Sequence, residues 1–195
     1  TLRGAPGIGG EFLDLNFNFF LLLLMHMKIL VAGAGGFIGG YLVKDLLEKG
    51  HEVVASDIKP LNHWYQVFPA SENHLADMRL KENADTLSVG VDRIYNLACN
   101  MGGMGFIQNN HALCMESVLT QVHALMAARD NGVKEILYSS SACVYPLEIQ
   151  ADIKDAQSQG LKEADAYPAN PEDGYGWEKL FSEILTHYFH TDFGL

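Results

Sequence analysis

Tyr175 and Lys179 stand at i and i+4 in Tyr-Gly-Trp-Glu-Lys, downstream of Ser139-Ser140-Ser141-Ala142-Cys143. On a helix the two share a face. A free phenol, with a pKa of about 10, is a poor base at neutral pH, and a neighbouring ammonium favours its ionised form. Such a phenol can take the proton that an alcohol must lose before its hydride departs. Ser141, just after an expected strand, would hydrogen-bond the substrate hydroxyl. Far upstream lies Gly33-Ala34-Gly35-Gly36-Phe37-Ile38-Gly39. In this order the three elements imply a dinucleotide-dependent oxidation of an alcohol.

The glycine turn has its own physical demand. A pyrophosphate can rest on a helix N-terminus only where backbone N–H groups approach it closely, and a Cβ at the turn would obstruct that approach. Gly33 and Gly36 give the access, and Gly39 lets the helix pack against the strand. Asp57, at the end of the second expected strand, is placed to accept hydrogen bonds from adenosine ribose hydroxyls. Its charge would repel a 2'-phosphate, so NAD is favoured over NADP, with Lys59 the feature that argues the other way. Asp77, at a third strand end, is a candidate adenine contact.

These residues need a scaffold, and the hydrophobic pattern supplies one. Ile29–Ala32 reads as a buried strand, and Ile38, Leu42, Leu46 and Leu47 recur at helical spacing until Gly50 closes the helix. Further strands are expected at Glu52–Ser56, His74–Asp77, Arg93–Ala98 and Glu135–Ser140. A long helix marked by Leu113, Val118, Leu119, Val122, Leu125 and Met126 should end near Asn131-Gly132, and another should carry Tyr175 to about His190. Strands alternating with helices imply right-handed crossovers and a parallel sheet covered on both faces. The expected fold is α/β, a Rossmann-like doubly wound parallel sheet over residues 27–195.

Composition narrows the function classes. With 195 residues, of which 48% are hydrophobic, the chain can bury one sizeable core. A net charge of -11 and the lack of any Lys/Arg cluster oppose nucleic-acid binding. Cys99, Cys114 and Cys143 are odd in number and lack CxxC or His-rich partners, which indicates neither a disulfide framework nor a metal site and fits a cytoplasmic protein. Residues 1–26 read as a leader. Phe17–Met25 is largely apolar, with Asn18 its only polar residue, but too short to span a bilayer, and Met25 or Met27 reads as the natural start, with residues 1–24 as translated upstream or added sequence. Deleting residues 1–24 is expected to leave soluble yield and folding unchanged; a collapse of soluble yield would overturn that reading.

The glycine turn, Asn96-Leu97-Ala98, the serine run and Tyr-x-x-x-Lys resemble the extended short-chain dehydrogenase/reductase family of nucleotide-sugar epimerases and dehydratases. Within it, Met101-Gly102-Gly103-Met104-Gly105-Phe106-Ile107-Gln108, Ser140-Ser141-Ala142-Cys143-Val144-Tyr145-Pro146 and Lys162-Glu163-Ala164-Asp165-Ala166-Tyr167-Pro168-Ala169 resemble the GDP-sugar 3,5-epimerase branch, over residues 28–195. The resemblance implies tightly bound NAD, held by Gly33, Gly36, Phe37, Ile38, Gly39, Asp57, Asp77 and Leu97 together with Tyr175 and Lys179. It implies a GDP-mannose substrate packed against Gly102, Ser141, Ala142 and Cys143, and GDP-L-galactose as product. In that chemistry NAD oxidises C4, the ketone acidifies C3 and C5, and Ser141, Cys143, Tyr175 and Lys179 are the catalytic set. Cys143 matches the branch's catalytic cysteine, a thiol whose pKa a nearby cation would lower. Relatives commonly dimerise through two helices of this domain.

Some residues depart from the pattern. Ala32 replaces a hydroxyl residue before the first glycine, and Asn100 stands where relatives often carry Asp. At Leu195 the sequence stops as residues 190–195 approach another expected strand, before the implied lysine partner and the C-terminal substrate lobe. The expectation is therefore a truncated chain that binds NAD without turnover. Alternatives are a 4-epimerase, a 4,6-dehydratase, against which Ala142-Cys143 counts because dehydratases carry an acidic pair there, and a noncatalytic NAD-binding module.

Overall fold

Successive side chains of a strand point to opposite faces of its sheet, so a central strand covered on both sides must be apolar at every position. Strand β1 (Lys28–Ala32) meets that requirement in the computed structural model, which describes residues 26–152 and 160–195. Leu30 and Ala32 enter one cluster with Ala84, Ile94, Ala127 and Ala128, whereas Ile29 and Val31 enter another with Val43, Leu46 and Trp64. The leader expected at residues 1–26 lies, up to Met25, outside the described residues.

Four further strands run parallel to β1: β2 (Glu52–Asp57), β3 (Glu72–Leu75), β4 (Arg93–Asn96) and β5 (Glu135–Tyr138). Their order is β3-β2-β1-β4-β5. The order reverses between β1 and β4, and in a doubly wound sheet ligands bind in the crevice at that point, beyond the carboxyl ends of the strands. Helix α1 (Phe37–Glu48) covers one face through Val43 and Leu46; α2 (Lys81–Leu87) and α5 (Val118–Asn131) cover the other. This is the expected α/β, Rossmann-like fold.

Strand ends differ from expectation in an instructive way. β4 and β5 stop at Asn96 and Tyr138 rather than at Ala98 and Ser140, because β1 turns away at Gly33 and the ladder finishes with Leu97 N–H on the Ala32 carbonyl and Ser139 N–H on the Asn96 carbonyl. β3 lies earlier than the expected 74–77, so Asp77 sits beyond the strand in a turn closed by Arg79 N–H on its own Oδ1 (2.9 Å). The expected long helix is interrupted: α3 (Met104–Ile107) and α4 (His111–Met115) precede α5, and Leu113 is exposed. At the break, buried Ser117 accepts the Asn100 N–H at 2.8 Å. Ile38 also departs from its apolar stripe and is exposed.

After the short helix α6 (Leu147–Asp152) comes α7 (Asp173–Phe193). It continues past His190 and ends at Gly194, whose φ of 75° suits glycine, so residues 190–193 are helix where the approach to a strand was expected. A buried chain of amides fixes α7 to the sheet: Asn96 Nδ2 donates to Gln121 Oε1 (2.8 Å), and Gln121 Nε2 donates to Thr186 Oγ1 (2.9 Å). Satisfied buried amides of this kind specify one packing, since a slip would strand them without partners.

Candidate functional site

The glycine turn leaves β1 at the crevice. A Cβ on Gly33 would lie 2.9 Å from Ala98 N, on a residue whose φ of 85° already favours glycine. A Cβ on Gly39 would lie 2.2 Å from the Gly33 carbonyl oxygen. Phe37, Ile38 and Gly39 open α1, where helix geometry leaves the N–H groups of the first turn without intrahelical acceptors. With the helix dipole behind them, such groups favour an anion.

Asp57 ends β2 with its carboxylate buried against the turn. Its Oδ2 accepts Gly35 N–H (3.0 Å) and its Oδ1 accepts Lys59 N–H (2.9 Å), leaving further lone pairs free of these bonds. Lys59, the residue that argued for a 2'-phosphate, is turned the other way: its ammonium donates to the Gly35 carbonyl at 2.7 Å. Arg79 binds both oxygens of Asp77 and also reaches Glu116, and this hydrogen bonding holds the Asp77 carboxyl below its usual range despite partial burial. Asp77 thus lines the crevice as one half of an ion pair.

A cavity of about 550 Å3 follows. Its walls include Gly33, Gly36, Phe37, Ile38, Gly39, Asp57, Asp77 and Leu97, so every expected cofactor contact outside α7 shares one space. Exposure of Ile38 at its wall is thereby accounted for. The cradle of turn, helix N-terminus and carboxylate fits a dinucleotide. Cys99, Met101 and Ser139 also line this cavity. Tyr175, Lys179, Ser141, Cys143, Gly102 and Ala142 are not among its described walls; the first four form a second group beside it.

Those three wall residues join the two groups. Tyr175 donates its hydroxyl to Met101 Sδ at 3.6 Å, and Lys179 donates to the Ser139 carbonyl at 3.0 Å. Tyr175 packs with Ile107 and Cys114, with Cys99 and Cys143 against them, so the three widely separated cysteines converge on one phenol. Lys179 Nζ lies 5.5 Å from the Tyr175 ring centroid and 4.6 Å from that of Tyr138. Ser141 caps a short turn (Ala142–Val144) and accepts the Cys143 N–H at 3.2 Å. Gly176 brings α7 against that turn, because a Cβ there would sit 2.3 Å from the Cys143 carbonyl oxygen. A Cβ on Gly102 would meet Phe106 Cβ at 2.8 Å, a steric demand for glycine within the chain itself.

Two electrostatic expectations change. Burial pushes the Tyr175 phenol up to about 12, reinforced by Cys99, while the Ser141 hydroxyl beside it pulls the other way. Lys179 does not reverse this, because its ammonium is spent on Ser139 and lies 3.8 Å from Glu178 Oε2. For Cys143 the expected cation is not there among the described neighbours. Burial raises the thiol, the Glu172 carboxylate beside it raises it further, and Ser141 offsets part of the rise.

Sequence reasoning missed Tyr138, Glu178, Cys99 and Met101. A signal existed for Glu178: Tyr175, Glu178, Lys179 and Ser182 follow the i, i+3, i+4, i+7 pattern of a buried helical face, on which an acid is out of place. Cys99 and Met101 carry no such local mark.

Known proteins agree with the geometry. The epimerase domain, described as the NAD dependent epimerase/dehydratase family, matches residues 29–195. GDP-mannose 3,5-epimerase of Arabidopsis thaliana is 43% identical over 171 residues, covering 87% of this chain and 45% of that protein. A crystal structure of UDP-galactose 4-epimerase superposes with a TM-score of 0.71 at 27% identity, over 86% of this chain and 53% of the other. UDP-glucose 4-epimerase of Thermus thermophilus in complex with NAD, at 22% identity, shares the fold with a TM-score of 0.71 and coverages of 87% and 52%. The chain thus spans about half the length of the relatives it matches. With its glycine cradle and Asp57 on the crevice and a Tyr-x-x-x-Lys helix beside it, the chain belongs to the NAD dependent epimerase/dehydratase family, whose cofactor is NAD.

Proposed function

We propose that the chain is the NAD-binding part of a nucleotide-sugar epimerase that acts on GDP-mannose by transient oxidation at C4 followed by inversion at C3 and C5. The observation that carries this reading is the convergence of Tyr175, Ser141 and Cys143 beside the cavity of the glycine turn, in a chain 43% identical to a GDP-mannose 3,5-epimerase over 87% of its length. The cofactor would be held by Gly33, Gly36, Phe37, Ile38, Gly39, Asp57 and Leu97. The chemistry that NAD supplies when bound is reversible oxidation of the C4 alcohol.

The remaining steps fall to side chains. Tyr175 takes the C4 hydroxyl proton once its Met101 contact is exchanged for substrate, and Ser141 orients that hydroxyl. Lys179, fixed by the Ser139 carbonyl, holds positive charge near the phenol. A C4 ketone acidifies the hydrogens on C3 and C5, so a modest acid/base group suffices there. Cys143 is that group. Because burial and Glu172 keep the thiol protonated, its resting role is the acid. The partner acid/base residue and the lobe gripping the GDP group are assigned to the part of the relatives' length that this chain does not span.

An outward stripe supports a homodimer. Trp177, Phe181, Ile184 and Tyr188 follow one another at four, three and four residues along α7, each at least 38% exposed, while the polar Glu178, Lys179 and Ser182 of the same helix are buried. An aromatic face of this extent marks a contact surface. No helix among the described residues is long and apolar enough to cross a membrane. With three unpaired thiols, a cytoplasmic setting fits this assignment.

Solvent-deuterium exchange tests the proposal. A protein extended to the length of its relatives, given NAD and GDP-mannose, should take label at C3 and C5, and Cys143→Ala should lose that label while retaining NAD affinity within about twofold, the exchange falling by about 10²-fold or more. Undiminished exchange in Cys143→Ala would move the acid/base role elsewhere. Turnover without label would assign a 4-epimerase. Cofactor binding with no reaction would assign a binding module.

A further inference from the structure

Glu178 is a carboxylate where a core side chain belongs. It is 2% exposed and wedged between α7 and β5, with Oε1 accepting the Tyr138 hydroxyl at 2.8 Å and Ser182 Oγ at 3.3 Å. Its Oε2 has no hydrogen-bond partner among the described residues and lies 3.8 Å from Lys179 Nζ. A buried acid with one oxygen unbonded is costly unless a charge compensates it, and the nearest compensating charge is the ammonium that faces Tyr175. That ammonium is therefore shared.

We propose that Glu178 is a positioning residue of the Tyr175–Lys179 pair: anchored by Tyr138 and Ser182, its carboxylate draws the Lys179 charge toward β5 and away from the Tyr175 phenol, setting how readily that phenol ionises. Resting on the reading of Tyr175 as the acid/base group, the inference adds a residue outside the Ser141, Cys143, Tyr175 and Lys179 set. The geometry supports the direction. Lys179 Nζ is closer to the Tyr138 ring than to the Tyr175 ring, at 4.6 Å against 5.5 Å, and its hydrogen bond runs to Ser139 at the end of β5. Tyr138 stays a neutral donor, its phenol raised far above the ordinary range by burial and by Glu178. The groups facing Tyr175 are Cys99 from the segment after β4, Ser141 and Cys143 from the turn after β5, and Glu178 on its own helix. Of these, Glu178 is the carboxyl group: burial raises it, the Lys179 ammonium and the Tyr138 and Ser182 hydroxyls pull it back, and its negative charge opposes the phenolate.

The sign follows from Coulomb's law: removing a negative charge near a phenol stabilises its anion and lowers its pKa. In this chain labelled with 13Cζ-tyrosine, the Tyr175 resonance can be identified by its loss in Tyr175→Phe, and its shift read against pH. Glu178→Gln keeps the shape and removes the charge. Its Tyr175 should titrate about one pH unit lower than in the wild type, so the phenolate fraction at about pH 10.5 should rise about tenfold, whereas Glu178→Asp should titrate near the wild type. Where Glu178→Gln does not fold, Tyr138→Phe with Glu178→Met replaces the buried polar pair by apolar groups of similar size and must give the same displacement. A Tyr175 titration unmoved in either folded variant would overturn the inference. Because the readout needs neither sugar nucleotide nor turnover, it stands or falls separately from the exchange experiment.

Discussion

Tyr175→Phe, in a protein extended to the length of its relatives, is expected to lower NADH formation from GDP-mannose by about 10²–10⁴-fold, the range of a lost general acid/base, and with it the labelling of C3 and C5. The variant removes one oxygen and keeps the ring, so the packing with Ile107 and Cys114 and the α7 anchor through Gln121 and Thr186 should survive. NAD affinity should be nearly unchanged, since the cradle is formed by other residues. A Tyr175→Phe protein that still accumulated NADH at the wild-type rate would assign the proton transfer elsewhere. The pH dependence has a definite sign. With the phenol at about 12 in the protein alone, the phenolate fraction rises about tenfold per pH unit up to that point, so C4 oxidation should accelerate toward alkaline pH. The positive nicotinamide would have to lower that value for the site to work near neutrality, because Lys179 is already held by Ser139 and Glu178. Stopped-flow absorbance at pH values from neutral to alkaline, on wild type and Glu178→Gln together, reads both effects.

How much of this was legible in the sequence depends on what kind of information each feature carries. The sheet was readable because β1 and β2 are apolar on both faces, a pattern that few other environments tolerate. Strand ends were not, because they depend on the neighbouring strand: β4 stops at Asn96 when β1 turns away, a fact absent from residues 93–98 themselves. The glycine turn was readable since Gly33 and Gly39 answer steric demands made within the turn and its adjoining strand and helix. The positions of Tyr175 and Lys179 were likewise given by helical spacing, whereas their electrostatics were not. Spacing places an ammonium beside a phenol, yet it is the Ser139 carbonyl and Glu178, brought by β5 and by the buried face of α7, that decide where the charge goes. Cys143 was expected to gain a cation and instead has Glu172, which the approach of α7 at Gly176 brings against its turn. Charge balance in a buried site is a tertiary property, and local sequence offers little access to it.

The glycine turn makes the second large effect separable into two parts, which a pair of variants can distinguish. Gly39→Ala places a methyl 2.2 Å from the Gly33 carbonyl oxygen and 2.8 Å from Ala34 Cα, both backbone atoms that cannot rotate aside. Either α1 lifts from the strand or the turn opens, and each disturbs Ile29, Val31 and Val43 in the cluster beneath. Overpacking of this kind costs about 2 kcal/mol, a loss of about 4–8 °C in Tm for a chain of this size. NAD affinity should fall with it by tenfold or more, since about 1.4 kcal/mol of lost contact is tenfold. Gly36→Ala is different. Its methyl meets the Gly33 oxygen at 3.3 Å and nothing else within 4 Å, and its φ of -80° is ordinary, so the fold should lose little. Its cost should appear in cofactor binding, where the methyl enters the space that a pyrophosphate needs. Calorimetric titration with NAD and thermal unfolding of this chain therefore give a crossed result: Gly39→Ala loses stability and affinity together, Gly36→Ala loses affinity alone. If Gly36→Ala bound NAD as well as the wild type, the pyrophosphate would not rest on this turn, and the cradle would have to be assigned to another part of the crevice.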